Sequence, residues 1–456
     1  MHLGNAMHQK PGQPGPKTDE GGEAAGVRRG GEARPAMHAD ADSGRVSLLV
    51  QALGRDNMQR AWQRVRRNGG SAGVDGRSIA ETKVYLREHW PRIREDLLHG
   101  TYRPSPVRRV AIPKPGGGER ELGIPTVVDR LIQQALLQVL QPLIDPTFSN
   151  HSYGFRPGRR AHDAILQAQA HVEAGYRIVV DVDLEKFFDR VNHDMLMDRL
   201  SRRIADRDVL RLIRRYLDAG MMADGVVIER QAGTPQGGPL SPLLANVLLD
   251  DVDRELERRG HRFVRYADDC NVYVRSRAAG ERVLTGLRRL YGRLRLRINE
   301  SKSAVASVFE RTFLGYGFGR MPAGALRRRV APKALARLKD RVREITRRTC
   351  GRSLAQIVTE LRGYLLGWKA YFRLARMPHV YGELDEWIRH RLRMLHLVQW
   401  KRGRTAYPAL LALGASPAVA ATIAANTRRW WRNSAMLLNA VLPIGYFDRL
   451  GVPRLS

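Results

Sequence analysis

The stretch His261–Arg275, HRFVRYADDCNVYVR, decides how the rest of the chain is read. Phe263 and Val264 on one side and Val272, Tyr273 and Val274 on the other are β-prone, and they bracket Tyr266, Ala267, Asp268 and Asp269. Two short strands around an acidic tip predict a β-hairpin. Adjacent carboxylates at a tight turn repel each other unless a cation stands between them and a further ligand. Hard oxygen donors of this kind favour Mg²⁺. An Asp-Asp pair alone is more often a solvated turn, so the reading depends on partners elsewhere in the chain.

The first partner lies in YRIVVDVDLEKFFDRVNH, residues 176–193. β-Branching predicts a strand over Ile178–Val182. Its period of two places Val180 and Val182 on one face and Val179, Asp181 and Asp183 on the other. Unpaired buried carboxylates cost several kcal/mol, roughly 3–5, so metal ligation is the economical explanation. Asp183 falls where the strand gives way to a predicted helix, LEKFFDRV, and can project beyond the sheet toward Asp268; Asp181 lies one step deeper. Phe187 and Phe188 follow, and Phe188 can wall the sugar of a nucleotide, or both can be core. The step from Asp183 to Asp268 is about 85 residues, the spacing of a polymerase palm. Two metal ions roughly 4 Å apart would then be held by Asp183 and Asp268, with Asp269 nearby.

Working outward, RRVAIPKPGGGERELGIPTVVDR (108–130) predicts a hairpin whose Gly-rich turn is flanked by Lys114 and Arg120. Backbone N–H groups and cations at such a tip suit a triphosphate, although an ordinary charged hairpin looks the same. In HSYGFRPGRRAHD (151–163), Arg156, Arg159 and Arg160 beside Tyr153 and Phe155 suit single-stranded nucleic acid or a nucleotide, a structural arginine loop being the rival. GTPQGG (233–238) is a tight loop carrying Gln236, placed to touch a nucleic-acid backbone or minor groove. It runs into a helix from Ser241-Pro242, with Leu244, Leu248, Val252 and Leu256 at four-residue steps, that should brace the acidic hairpin. LRINESK (296–302) predicts a short strand and turn presenting Lys302. FLGYGF (313–318) predicts another strand.

The 456 residues carry 78 Lys and Arg against 46 Asp and Glu, a formal net charge of +32, and are 43% apolar. A large core and a polyanionic partner follow, nucleic acid first. No apolar run approaches the roughly 20 residues of a spanning helix. Two cysteines, Cys270 and Cys350, exclude a disulfide framework and a Cys₄ zinc module, which points to a reducing, cytoplasmic setting. Residues 1–45 are Gly-, Pro- and Ala-rich and are expected to be a disordered leader; 46–105 reads as a helical N-terminal extension. From Arg327 onward, Arg-dense helices interleave with aromatics such as Tyr364, Trp368, Trp387, Trp400, Trp430 and Trp431, a composition suited to folded RNA or to solvated helix faces over an aromatic core.

Six ordered blocks, IPKPGGGERELGIPTVVDRLIQQ, SYGFRPGRRAHDA, DVDLEKFFDRVNH, TPQGGPLSPLLANVLLDDVD with YADD, LRINESKS and FLGYGF, resemble those of group II intron-encoded reverse transcriptase/maturases, from about Leu48 to the C-terminus. The resemblance implies an α+β right-hand polymerase. Fingers and palm would span 106–320, and an α-helical thumb/maturase region 325–456. It implies two Mg²⁺ ions on Asp183, Asp268 and Asp269, and Phe188 as the gate that admits dNTPs rather than rNTPs. Lys114, Arg120 and Arg156 would contact the nucleotide and Gln236 would lie near the primer–template. Lys302 would donate a proton to pyrophosphate. The implied partners are the intron RNA, a DNA target or primer, and dNTPs, in a bacterial cytoplasm, with the oligomeric state undetermined. An RNA-binding maturase with a vestigial polymerase, and a relative used in retron, diversity-generating or repair synthesis, remain alternatives. Two departures stand out. The chain stops at Ser456 with no Cys-paired HNH endonuclease, which suggests the endonuclease-lacking lineage, and DLEKFF replaces the more frequent DIKGFF.

Overall fold

A computed structural model of the chain describes residues 47–113, 119–223, 226–228, 233–234, 237–321, 324–349 and 351–456. The expected leader, Lys114, Gln236 and Cys350 therefore lie outside the described residues, as does the side chain of Arg120.

The fold is α+β. At its centre is a four-stranded antiparallel sheet in the order Arg262–Tyr266, Asp269–Val274, Ile178–Val182, Ala304–Ser307. The predicted alternation is realised on both faces. Val180, Val182, Phe263, Val272 and Val274 pack into one core with the helices Val127–Ile144 and Ser241–Arg258, and Val179, Val264 and Tyr273 pack into another behind the sheet with the helix Ala161–Glu173. A sheet covered on both sides has its strand ends as its remaining open edge, and the acidic residues sit at one of those ends.

A second sheet has the order Glu119–Ile124, Val107–Pro113, Met221–Ala223, Val226–Ile228, and contains the predicted hairpin. A third joins Leu326–Val330, Tyr316–Arg320 and Thr312–Phe313. From Pro332 the chain is helical, and the helices Pro332–Ile345, Leu354–Tyr371 and Pro378–Trp400 share a separate core through Leu338, Leu361, Ile388 and Leu392. No helix among the described residues is long and apolar enough to cross a membrane.

Two expectations are corrected. The helix anticipated directly after Asp183 is a single 3₁₀ turn, Phe187–Asp189, and the α-helix starts at His193. Leu184 extends the strand by bridging to Ile298, the Glu185 N–H donates to the Arg297 carbonyl, and Lys186 takes a left-handed conformation, so the helix waits for the Asn192 cap. LRINESK contributes only that bridge at Ile298 and then a turn.

Behind the sheet, His171 is 5% exposed against Tyr273 and His151. Burial first, then the charges of His151 and Arg262, hold its imidazole down at about 4. Its folded value lies below its unfolded one, so its stabilising contribution is complete above pH ~6.5 and is lost as pH falls toward 4, amounting to about 2 kcal/mol by pH 5. The thermal midpoint of the wild type should therefore fall more steeply between pH 7 and pH 5 than that of His171→Gln. Parallel curves would contradict this assignment.

Candidate active site

The acidic hairpin closes with Tyr266 paired to Asp269, leaving a two-residue turn of Ala267 and Asp268. Ala267 has a φ of 58°, a left-handed conformation that an alanine holds only under tertiary constraint. On the neighbouring strand, Val182 pairs with Cys270 in antiparallel register, so the next residue, Asp183, comes alongside Asp269 at the same end of the sheet. The backbone of Asp183 is fixed by the loop 299–303: its N–H donates to Ser303 Oγ at 3.0 Å, and its carbonyl accepts the Asn299 N–H at 2.8 Å. That loop also brings Lys302 Nζ to 3.5 Å from Asp183 Oδ2.

Three residues expected to share a site thus come from two adjacent strand ends, with a fourth carboxylate behind them. Asp181 is clamped by Arg311, whose Nε and Nη2 donate to Asp181 Oδ2 at 2.9 and 2.6 Å. The same Nη2 reaches the Lys302 carbonyl at 2.6 Å, tying the lysine loop to the sheet. The carboxyl of Asp269 is pushed up to about 7, by removal from water first and then by the negative charge of Asp268, Asp183 and Asp181, with Lys302 acting in the opposite sense. Asp269 is exposed as a whole residue, so the crowding of like charges is the physically decisive part. The donor set suits a hard divalent cation: all carboxylate oxygens, with more negative charge than Lys302 and Arg311 offset. As the side chains stand, no three acidic, His or Cys groups among the described residues form a ready ligand cluster, so closing on an ion requires the carboxylates to turn.

The turn is braced from behind by a buried network that the sequence reading missed. Arg265, with 0% exposure, donates from Nε to both oxygens of Asp253 at 2.8 and 3.0 Å. Its Nη1 donates to Asn246 Oδ1 and to the Ala267 carbonyl, both at 2.8 Å. Asn246 in turn donates to the Gly154 carbonyl at 2.9 Å. Gly154 lies so close that a methyl group there would stand 2.1 Å from the Ala267 nitrogen, which only glycine avoids. A signal was present: Asn246, Asp250 and Asp253 recur at one-turn steps on a single side of the helix Ser241–Arg258, across from the stripe of Leu244, Leu248, Val252 and Leu256, and Arg265 interrupts an apolar strand. Buried polar groups at such positions ask for partners.

Of the nucleotide-contact candidates, Arg156 is corrected. Its Nε donates to Asp145 Oδ1, Nη1 to the carbonyls of Ser149 and Ser152, and Nη2 to the carbonyl and Oδ2 of Asp145, which engages all five N–H donors. It staples its own loop, the rival reading of that arginine-rich segment. Phe188 is 8% exposed and packs edge-on against Phe187 at 5.1 Å, its carbonyl accepting the Thr234 N–H at 2.7 Å. Arg120 pairs through its backbone with Ile112.

Residues 112–318 match the family model described as reverse transcriptase (RNA-dependent DNA polymerase), which encloses all of these carboxylates, and residues 335–410 match the group II intron, maturase-specific domain. Over these two spans the chain is similar to group II intron reverse transcriptase/maturases. Similar proteins include protein YkfC of Escherichia coli, 38% identical over 224 residues (47% of this chain, 59% of that protein), and the group II intron-encoded protein LtrA of Lactococcus lactis, 36% identical over 195 residues (42% of this chain, 32% of that protein). The chain thus spans less than two thirds of the length of either. A solved chain of a Cas6-RT-Cas1–Cas2 complex superposes with a TM-score of 0.36 at 26% identity, covering 54% of this chain and 43% of that chain. At that score the superposition adds nothing to the sequence matches.

Proposed function

We propose that the chain is an RNA-directed DNA polymerase that also binds its intron RNA to assist splicing and copies it into DNA from a primer at the target site. The observation that carries this reading is the strand register bringing Asp183 beside Asp269, one residue from the Asp268 turn, within a span matched by the reverse transcriptase family. Asp183 and Asp268, with Asp269 nearby, are the residues that would hold two Mg²⁺ ions. When bound, the ions supply Lewis acidity toward a primer 3′-hydroxyl and toward the phosphates of the incoming nucleotide.

The chain's own groups do the rest. Lys302, 3.5 Å from Asp183, would hold a proton near the leaving pyrophosphate. Lys114 and Arg120 would pair with triphosphate oxygens. Gln236 would lie against the primer–template. Phe188 would restrict the space at the sugar 2′-position, so that dNTPs are preferred. Fingers and palm would occupy 106–320 and the RNA-gripping thumb 325–456, acting in a bacterial cytoplasm. The net charge of +32 favours such polyanionic partners.

The test is extension of a DNA primer on an RNA template with Mg²⁺. Wild-type protein should extend with dNTPs to the template end and poorly with rNTPs, and Phe188→Ala should raise rNTP incorporation by about tenfold or more, the scale of a lost steric contact. No extension with any divalent metal would reject the polymerase reading. Unchanged rNTP use by the variant would move the gate elsewhere, first to Phe187.

A further inference from the structure

Far along the chain from the acidic tip, a concavity of about 640 Å³ opens between the end of the helix Pro332–Ile345, the helix Pro378–Trp400 and the segment 428–432. Its last wall is RRWWR, which lies beyond both matched family spans. Arg347, Arg348, Arg428, Arg429 and Arg432 line it, and none of them stands in an ion pair with a carboxylate among the described residues. The charge is felt within the site. The guanidinium of Arg391 is held below its ordinary value by burial and then by Arg343 and Arg348. So dense a cluster of cations is stable only when an anion or high ionic strength answers it.

The second observation is aromatic. Trp431 is 47% exposed, although a large apolar ring gains by burial. It is fixed rather than loose: His390 stacks on one face at 3.8 Å and 27°, and His390 Nε2 lies 2.8 Å from the Trp431 carbonyl. Ring surface is thus left open beside the arginines that line the groove. Duplex bases are paired and stacked and cannot reach such a ring, whereas an unpaired base can, and its flanking phosphates then meet the guanidinium groups. The size suits one or two nucleotides rather than a helix.

We infer that this groove takes an unpaired nucleotide of a single-stranded or looped nucleic acid, the base stacked on Trp431 and the neighbouring phosphates on Arg428, Arg429 and Arg432. The inference extends the nucleic-acid reading above and does not depend on polymerisation. Its test contains no dNTP and no divalent metal, so a protein unable to extend a primer is still informative.

The experiment uses the full chain and a 12-nucleotide unstructured oligonucleotide with one 4-thiouridine, or 4-thiothymidine in a DNA arm. Photocrosslinks should map to the peptide containing Trp430 and Trp431. Trp431→Ala should weaken binding of the single strand about tenfold, while binding of the same sequence as a blunt duplex changes less than twofold. Trp431→Phe should restore most of the loss, which a merely unfolded variant would not allow. Stronger crosslinking by RNA than by DNA would identify a looped transcript as the source, and equal crosslinking would include a displaced DNA strand. Crosslinks confined to other peptides, or equal losses for single strand and duplex, would overturn the inference.

Discussion

Asp268→Asn is expected to lower primer extension by about 10³-fold or more, since the loss of one ligand from a two-ion site removes several kcal/mol, roughly 4, of transition-state stabilisation. The substitution preserves side-chain shape and removes only charge. Asp268 occupies the second turn position, away from the buried strand interior, so the fold should survive. The Asn variant should match the wild type in thermal midpoint and in RNA affinity, and Asp183→Asn should be as inactive. Activity within tenfold of the wild type would remove Asp268 from the ligand set. Inactivity joined to lost RNA binding would instead indicate a collapsed structure.

The second large effect is expected at Arg265. Arg265→Met leaves Asp253 fully buried without its counter-charge, at a cost of about 3–5 kcal/mol. The double variant Arg265→Met, Asp253→Leu removes both charges and should recover most of that stability, because replacing a buried pair by apolar groups of similar volume is often close to neutral. It should not recover activity. The Arg265 bond to the Ala267 carbonyl is still missing, and with it the constraint on a left-handed alanine next to Asp268. Urea midpoints and extension rates on the two variants separate these roles. If extension returns together with stability, the network supports the fold alone and does not position the turn.

These two sites also mark how far the sequence could be read. The hairpin, the strand before Asp183 and the helix behind them follow from local patterns: period two in FVRY and NVYV, period 3.6 in the leucines after Pro242. Neighbouring strand ends were then enough to place Asp183 beside Asp269. The partnership of Arg265 with Asp253 was not legible, because Arg265 sits on a strand and Asp253 on the helix before it, and only the packing angle between them makes the contact. Arg156 failed for the same reason. A loop rich in arginine next to aromatics has the composition of a nucleotide site. Whether its donors face solvent or their own loop depends on where Asp145 and two carbonyls fall in three dimensions. The helix expected after Asp183 gave way to a 3₁₀ turn because a single bridge from Leu184 to Ile298 outweighed local helical preference.

Whether carboxylates from two strands share divalent ions can be measured by anomalous scattering from crystals of the protein soaked in Mn²⁺ as a stand-in for Mg²⁺. A metal peak is expected in coordination contact with both Asp183 and Asp268, lost in Asp268→Asn. A well-ordered acidic tip with no such peak, or with Mn²⁺ bound only at other carboxylates, would contradict it.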